Sequence, residues 1–219
     1  MMSVAISTVH QIELTSRCNL KCQYCPHPHL EREKADMTMD TYITALAWAQ
    51  TMESPELSLT GMGESTLHPD FIEMLHLARE ALPSTKLLLS SNGIRISDEQ
   101  LTAMRETNTI LWISAHRPEV AGKTLQRSLA AKVMTGINNN IIDSGFDWAG
   151  QVSWANMAPP HECQYLTRGW ATVLQNGDVV SCCMDAHGLH PWGNVMDEVK
   201  PTRIGEMSLC ANCHLSVPQ

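Results

Sequence analysis

Two hydrophobic periods alternate along the first 155 residues of the chain. Runs in which every second residue or every residue is apolar predict strands, and apolar residues three and four positions apart predict helices. Strands are predicted at 9–14, 57–60, 86–90 and 109–114, with weaker candidates at 138–143 and 151–155. Helices are predicted at 39–52 after the capping residue Thr38, at 71–82, from Ser97 to about Glu106, and at 120–134.

Strands and helices that alternate at this spacing predict βαβ units, a parallel sheet and right-handed crossovers. Five or six such units fit before residue 156, too few to close an eight-stranded barrel of about 250 residues. The predicted fold is therefore α/β, with a partial (β/α)5-6 barrel as a first domain over residues 1–156.

The regular pattern ends near the Pro159-Pro160 pair, and the region that follows differs in character. Residues 170–174 and 178–181 predict a β-hairpin, because Asn176-Gly177 between them favours a tight turn. Residues 157–219 are rich in loops and hold five of the eight cysteines. So small an apolar core typically needs a metal for stability, so we predict a second, metal-binding domain over residues 157–219.

Composition narrows the function classes. Of 219 residues, 43% are hydrophobic and 17% charged, which is enough apolar surface for a packed core. A formal net charge of −8 disfavours direct binding to a nucleic-acid backbone, although a local arginine would still bind a small anion. Neither a membrane-spanning apolar run nor a signal peptide is present, so we expect a cytoplasmic protein. Disulfides are rare there, which makes the eight cysteines candidate metal ligands.

Three of these cysteines, Cys18, Cys22 and Cys25, lie in C-x3-C-x2-C spacing just after the first predicted strand. Soft thiolates bind iron–sulfur clusters, zinc or copper(I). Three ligands leave one coordination position open, as in a reactive site. The alternative is a closed zinc site in which His27 or His29 is the fourth ligand.

Four more cysteines are candidates for a second metal site: Cys163, Cys182, Cys210 and Cys213. A C-x2-C pair with two distant partners fits an iron–sulfur cluster or zinc, and the predicted hairpin would bring Cys182 toward Cys163. The segment 210–214 also matches the C-x-x-C-H haem-attachment motif, but covalent haem requires export.

The first cysteine motif, with Tyr24 before its third cysteine, resembles that of the radical S-adenosylmethionine (SAM) superfamily. Residues 59–64, Leu-Thr-Gly-Met-Gly-Glu, resemble the family's Gly-Gly-Glu segment, with Met62 in place of the second glycine. Residues 90–93, Ser-Ser-Asn-Gly, resemble its turn near the ribose, and Ser114 ends the next strand at the same sheet edge. These segments occur in the family's order.

The resemblance implies that Cys18, Cys22 and Cys25 bind a [4Fe–4S] cluster whose fourth iron is chelated by SAM. One electron from the cluster would cleave the sulfur–C5′ bond and form a 5′-deoxyadenosyl radical, which abstracts hydrogen from a substrate. A reductase or flavodoxin-type protein is the expected electron donor. The implied SAM-binding residues are Tyr24, Gly61, Gly63, Glu64, Ser91, Asn92 and Ser114, with Glu64 holding the methionine amino group.

The C-terminal half resembles the auxiliary-cluster domain of the SPASM/twitch subgroup, through Gly177-x4-Cys182, residues 182–185 and Gly193-Asn194. The cysteine count permits one auxiliary [4Fe–4S] cluster, as in a twitch domain. Counting from Gly177 favours Cys182 over Cys183 as the ligand, although a one-residue slip would exchange them. A structural zinc remains the alternative at this site.

The smallest complete resemblance is to the twitch-type dehydrogenase of aminocyclitol biosynthesis. An auxiliary cluster that accepts an electron from a substrate radical makes the overall reaction a two-electron oxidation. Peptide maturation by crosslinking or epimerisation is the runner-up, and the short segment before Val9 favours a small or already presented substrate. Nucleotide or DNA-base modification is a third possibility, and an iron–sulfur electron-transfer module is the non-enzymatic one.

Candidate substrate contacts follow the later strands. His116 and Arg117 are predicted as an acid–base group and an anion clamp, at the end of the 109–114 strand. Each has a plain structural alternative, a surface loop or a cofactor contact. Weaker candidates, each as readily explained by packing, capping or ion pairing, are Asp147, Trp148, Trp154, Arg168, His27, His29 and His68.

Overall fold

The structure is a computed structural model that describes residues 3–138, 148–149, 151–152 and 163–213. Its main sheet contains the strands β2 (Thr8–Ile12), β3 (Glu56–Ser58), β4 (Lys86–Ser91), β5 (Ile110–Ser114), β6 (Thr135–Asn138), β7 (Trp170–Val173) and β8 (Val179–Val180). The helices are α1 (Met39–Thr51), α2 (Phe71–Ala81), α3 (Asp98–Glu106), α4 (Pro118–Ala130) and α5 (Gln164–Thr167). In the described part of the chain, no helix is long and apolar enough to cross a membrane.

The strands of this sheet run in the order β6-β5-β4-β3-β2-β7-β8. Neighbouring strands from β6 to β7 are parallel, and only β8 is antiparallel to its neighbour, so the sheet is mixed. Among the strands described, β6 and β8 are the edges, and the sheet is not closed into a barrel. The predicted α/β class with an open barrel is therefore confirmed.

One face of the sheet packs against the apolar core, and the opposite face carries polar side chains. In β4 and β5 the buried residues Leu87, Leu89, Leu111 and Ile113 join one apolar core with α1, α2 and α3. Alternation along a strand sends the intervening side chains to the opposite face. That face carries serines near the carboxyl ends of three strands, which line a cavity: Ser58, Ser90 and Ser114.

Helix boundaries follow the predicted caps closely. The Thr38 side chain accepts a hydrogen bond from Thr41 N, and Ser97 forms a capping box with Gln100. The sequence prediction was wrong where α4 ends, because Lys132 adopts a left-handed φ of 61° just after the helix. The chain therefore re-enters the sheet at Thr135, where β6 begins. Of the strand predicted at 138–143, only Asn138 is described, as the last residue of β6, and the rest lies outside the described residues.

The C-terminal hairpin forms as predicted, and β7 pairs with β2, the first strand of the main sheet. Of the strand predicted at 151–155, Gln151 and Val152 lie outside any strand, and the rest is outside the described residues. One feature was missed: β1 (Ser3–Ala5) pairs with β9 (Arg203–Gly205) as a two-stranded antiparallel sheet. Strands of three residues carry too little alternation to be recognised. The domain boundary at residue 156 stays a prediction.

Candidate active site

A cavity of about 250 Å³ lies at the carboxyl ends of the parallel strands. This is where ligands bind in open α/β sheets, because loops from several strands meet there. All the residues predicted for the first cofactor line it: Cys18, Cys22, Cys25, Tyr24, Gly61, Gly63, Glu64, Ser91, Asn92 and Ser114. His116 lines it as well.

The three cysteines enter this cavity from one loop. A turn within the loop is closed by Cys25 N, which donates to Cys22 O at 3.2 Å, and Leu20 N lies 3.5 Å from Cys18 Sγ. Burial raises the pKa of Cys18, and it raises that of Cys25 to about 11. A bound metal opposes that effect, because thiolates are the ligating form.

Single-ion coordination is not seen at this loop. In the described ranges, no three His, Cys, Asp or Glu side chains converge closely enough to hold one metal ion. Of the two candidate fourth zinc ligands, His29 is exposed, whereas His27 is buried and lines the cavity. The His27 Nε2 donates to Ser16 O at 2.9 Å, and its Nδ1 has no hydrogen-bond partner among the described residues. The thiols of a cluster each bind a different iron, so they need only line one cavity. The donor set therefore fits a cluster with one open iron.

The turn after β3 carries the glycine motif, and one of its glycines is required by a close approach. A Cβ on Gly63 would lie 2.2 Å from Thr15 O and 2.6 Å from Arg17 O, closer than a carbon atom can approach an oxygen. The next residue, Glu64, donates its N–H to Arg17 O at 2.8 Å. The turn is thereby joined to the backbone that leads into Cys18, so the two motifs share one wall of the cavity.

Glu64 is a buried carboxylate that joins its own turn to the end of β4. Its Oε1 accepts from the hydroxyls of Thr66 and Ser91, both at 2.7 Å, and its Oε2 accepts from Asn92 N at 2.8 Å. Burial raises the pKa of Glu64, while these hydrogen bonds oppose the shift. A fixed acceptor group of this kind is complementary to an ammonium ion.

The turn after β4 also contacts the cysteine loop. Asn92 Nδ2 donates to Asn19 Oδ1 at 2.8 Å, and Asn92 Oδ1 accepts from Ile94 N at 3.0 Å. Asn19 follows Cys18 directly, so the predicted cofactor-binding segments form one hydrogen-bonded unit. The sequence predicted these segments individually but gave no sign of this contact.

His116 is paired with Tyr24 across the cavity. The Tyr24 hydroxyl lies 2.6 Å from His116 Nδ1, so the cysteine loop is joined to the segment after β5. Burial lowers the pKa of His116 and is the main cause of a raised pKa for Tyr24, so both groups are neutral near pH 7. Arg117 does not line this cavity: it is exposed at the start of α4 and lines a neighbouring surface groove.

A second, smaller pocket of about 40 Å³ collects the other predicted metal ligands. Cys163, Cys182, Cys210 and Cys213 line it, together with Met184 and Met207. Cys183 does not: it lines the first cavity, its Sγ lies 3.3 Å from the Tyr165 hydroxyl, and it also packs against the cluster of Cys182, Met184 and Met207. Four thiols from three separate segments thus line one pocket, although, as at the first loop, no three of the described side chains converge on a single-ion geometry.

The weaker candidates have different fates. His68 is structural, since Nε2 donates to Met37 O and Nδ1 accepts from Asp70 N. Arg168 lies 4.9 Å from the Trp170 ring and lines neither site. Trp148 lines the first cavity, whereas Asp147 and Trp154 lie outside the described residues. Cavity residues outside the motifs and candidates identified in the sequence are Gln11, Ser58 and Asn138. Polar residues at the carboxyl ends of apolar strands were the available signal.

Similar proteins agree with this geometry. A 98-residue segment is 37% identical to the tungsten-containing aldehyde ferredoxin oxidoreductase cofactor-modifying protein of Pyrococcus furiosus, covering 43% of this chain and 26% of that protein. A 93-residue segment is 32% identical to the PqqA peptide cyclase of Gluconobacter oxydans, covering 42% and 25%. The matches thus span about a quarter of the length of these relatives.

A solved structure shares the fold across most of the chain. The structure of BtrN in complex with AdoMet and 2-DOIA superposes with a TM-score of 0.72 at 19% identity, covering 89% of this chain and 80% of that one. The family match is more specific, since residues 12–149 match the Radical SAM superfamily. That range is more than half of the chain and contains both the cysteine loop and the Gly61–Glu64 turn, so this protein belongs to the radical SAM superfamily of enzymes.

Proposed function

We propose that this protein reductively cleaves SAM and uses the 5′-deoxyadenosyl radical to oxidise a small substrate by two electrons. One observation carries the proposal: the three-cysteine loop and the Gly61–Glu64 turn line the same cavity, at the carboxyl edge of the sheet. When bound, a [4Fe–4S] cluster on Cys18, Cys22 and Cys25 supplies the electron that breaks the sulfur–C5′ bond of SAM.

The chain's own residues bind and orient SAM in this proposal. The Glu64 carboxylate, fixed by Thr66, Ser91 and Asn92, binds the methionine amino group by charge and hydrogen bonding. Ser91 and Asn92 are proposed to contact the ribose, and this is supported by their place in the wall of the cavity, which Tyr24 and Ser114 also line. Because these groups are held by one another before SAM binds, little ordering remains to be done on binding.

We further propose that Cys163, Cys182, Cys210 and Cys213 hold an auxiliary [4Fe–4S] cluster that accepts the second electron. Their common pocket supports this ligand set, and Cys182 in that pocket supports the choice over Cys183. His116, neutral and facing the reaction cavity, is the candidate to accept the substrate proton. Arg117, on the adjacent surface groove, is proposed to attract an anionic part of the substrate or its carrier.

The test is metal analysis of anaerobically reconstituted protein together with 5′-deoxyadenosine release from SAM under dithionite. About eight irons per chain and 5′-deoxyadenosine formation support the proposal. About four irons plus one zinc would keep the radical chemistry and assign the second site a structural role. Zinc alone with no SAM cleavage would contradict it.

A peptide substrate is the second candidate. It is favoured by the match to PqqA peptide cyclase. Incubation with deuterated aminocyclitols and with deuterated peptides separates the two classes, because the abstracted deuterium appears in 5′-deoxyadenosine only with a true substrate. The electron donor and the cytoplasmic location stay predictions.

A further inference from the structure

We propose that Glu13 and Arg32 form a positioning link between the Gly61–Glu64 turn and the C-terminal region. The inference rests on the proposed SAM site at that turn. The Glu13 and Arg32 side chains are 1% and 9% exposed, and Arg32 Nη1 lies 2.8 Å from Glu13 Oε2. Neither residue is a candidate metal ligand or lines the cavity wall at Glu64, so their role must act through their neighbours.

The Glu13 carboxylate accepts hydrogen bonds from backbone amides in two distant parts of the chain. Its Oε1 accepts from Met62 N at 2.7 Å, inside the glycine motif, and its Oε2 accepts from Gln175 N at 3.2 Å, in the turn of the C-terminal hairpin. A Cβ on Gly61 would lie 2.2 Å from Glu13 Cγ, so glycine at that position makes room for the carboxylate. One side chain therefore fixes two turns at once.

Arg32 adds a third and a fourth segment to the link. It lies on the segment after Cys25, and its Nε donates to Ala186 O at 2.7 Å, just beyond the Cys182-Cys183 pair. Its Nη1 also donates to the Gln175 side chain, and its Nη2 donates to Glu13 Oε1 at 2.9 Å. Every nitrogen of the guanidinium is thus bonded, and the partners lie on three separate segments, at Glu13, Gln175 and Ala186.

Stability alone does not explain this arrangement. A buried ion pair is often no more stabilising than apolar residues of the same volume, because both charges lose their hydration. The ion pair instead provides defined geometry. The planar Arg32 guanidinium and the Glu13 carboxylate hold several backbone groups at fixed distances and orientations. We therefore expect a change at Arg32 to reach the Met62 amide, which Arg32 does not contact.

The experiment compares Arg32→Met with Arg79→Met in the reconstituted protein. Arg79 is a matched control, because its guanidinium also donates to several backbone carbonyls, but at the end of α2 and away from both sites. Hydrogen exchange at the Met62 and Gln175 amides is expected to accelerate at least tenfold in Arg32→Met and not in Arg79→Met. Arg32→Lys, which keeps the charge, is the milder variant and should give an intermediate rate.

A second measurement connects the link to SAM. The SAM concentration for half-maximal 5′-deoxyadenosine formation is expected to rise about tenfold in Arg32→Met, with iron content unchanged and the Arg79→Met value equal to that of the parent. Unchanged exchange at Met62, or equal changes in both variants, would overturn the link. A parent protein that does not cleave SAM would instead overturn the proposed function, and the exchange data would still decide the link.

Discussion

The two cysteine sites are assembled in opposite ways. The three thiols of the first cavity lie within the segment 18–25 of one loop, whereas the four thiols of the second pocket come from positions as far apart as 163 and 213. A local motif is recognised from spacing alone, because the chain has little freedom between its ligands. A dispersed set depends on the fold to bring its members together, so its membership is decided by packing.

The largest expected effect is the loss of SAM cleavage when a cysteine of the first site, but not of the second, is removed. Cys25→Ala should reduce SAM cleavage to the background rate, because the first cluster loses one of its three ligands, while about four irons remain at the second site. Cys213→Ala should also lose about four irons yet keep SAM cleavage. Iron analysis and 5′-deoxyadenosine release on both variants check this, and substantial cleavage by Cys25→Ala would contradict it.

A second test distinguishes Cys182 from Cys183 as the proposed ligand in the second pocket. Cys182→Ala should lose about half of the iron and lower the melting temperature, because Cys182 lines the second pocket and is proposed as a cluster ligand there. Cys183→Ala should retain all of the iron. In the folded, reconstituted parent, Cys183 is the one thiol of the eight not proposed to bind iron, so iodoacetamide should modify it, slowly because burial raises the pKa of its thiol. Peptide mapping that finds Cys182 modified instead would exchange the two roles.

Smaller effects are expected at the glycine turn. Gly63→Ala should cost about 1–3 kcal/mol of folding free energy and weaken SAM binding, because its Cβ would collide with Thr15 O. Gly122 on α4 is the control: a Cβ there meets no atom within 4 Å, so Gly122→Ala should stabilise by about 0.5–1 kcal/mol. Chemical denaturation of both variants measures the contrast, and equal losses would refute the steric argument.

The smallest effect concerns pH. Burial lowers the pKa of His116 below its usual value of 6.5, so the folded state favours the neutral imidazole. Its contribution to stability is therefore present above about pH 6.5 and is lost as the pH falls toward the folded pKa. Melting temperatures between pH 7.5 and 5 should fall less steeply in His116→Gln than in the parent. Parallel profiles would show that His116 titrates alike in both states.

Much of the first cavity was accessible from the sequence because its motifs are local. The cysteine loop, the glycine turn and the caps at Thr38 and Ser97 each depend on neighbours within a few residues. The boundary of α4 was wrong because nothing in the hydrophobic pattern indicates the left-handed conformation of Lys132. The pairing of β1 with β9 was missed because its two strands lie at opposite ends of the chain.

The same limit applies within the site. Tyr24 and His116 were each identified, but their pairing was not, because it depends on how a loop meets the end of β5. Nothing in the sequence indicated the buried Glu13–Arg32 ion pair, because a charged residue at the end of a strand is ordinarily exposed. Contacts between segments that are distant in sequence are set by the packing of the whole sheet, and no single period encodes them.

Adjacent Cys182 and Cys183 line different pockets, and this has a consequence for charge movement. Consecutive Cα atoms are about 3.8 Å apart, so one peptide unit joins a wall residue of the first cavity to a proposed ligand in the second pocket. In the proposed two-cluster enzyme, an electron leaving a substrate radical beside Cys183 would have a covalent path toward the auxiliary cluster through this peptide unit.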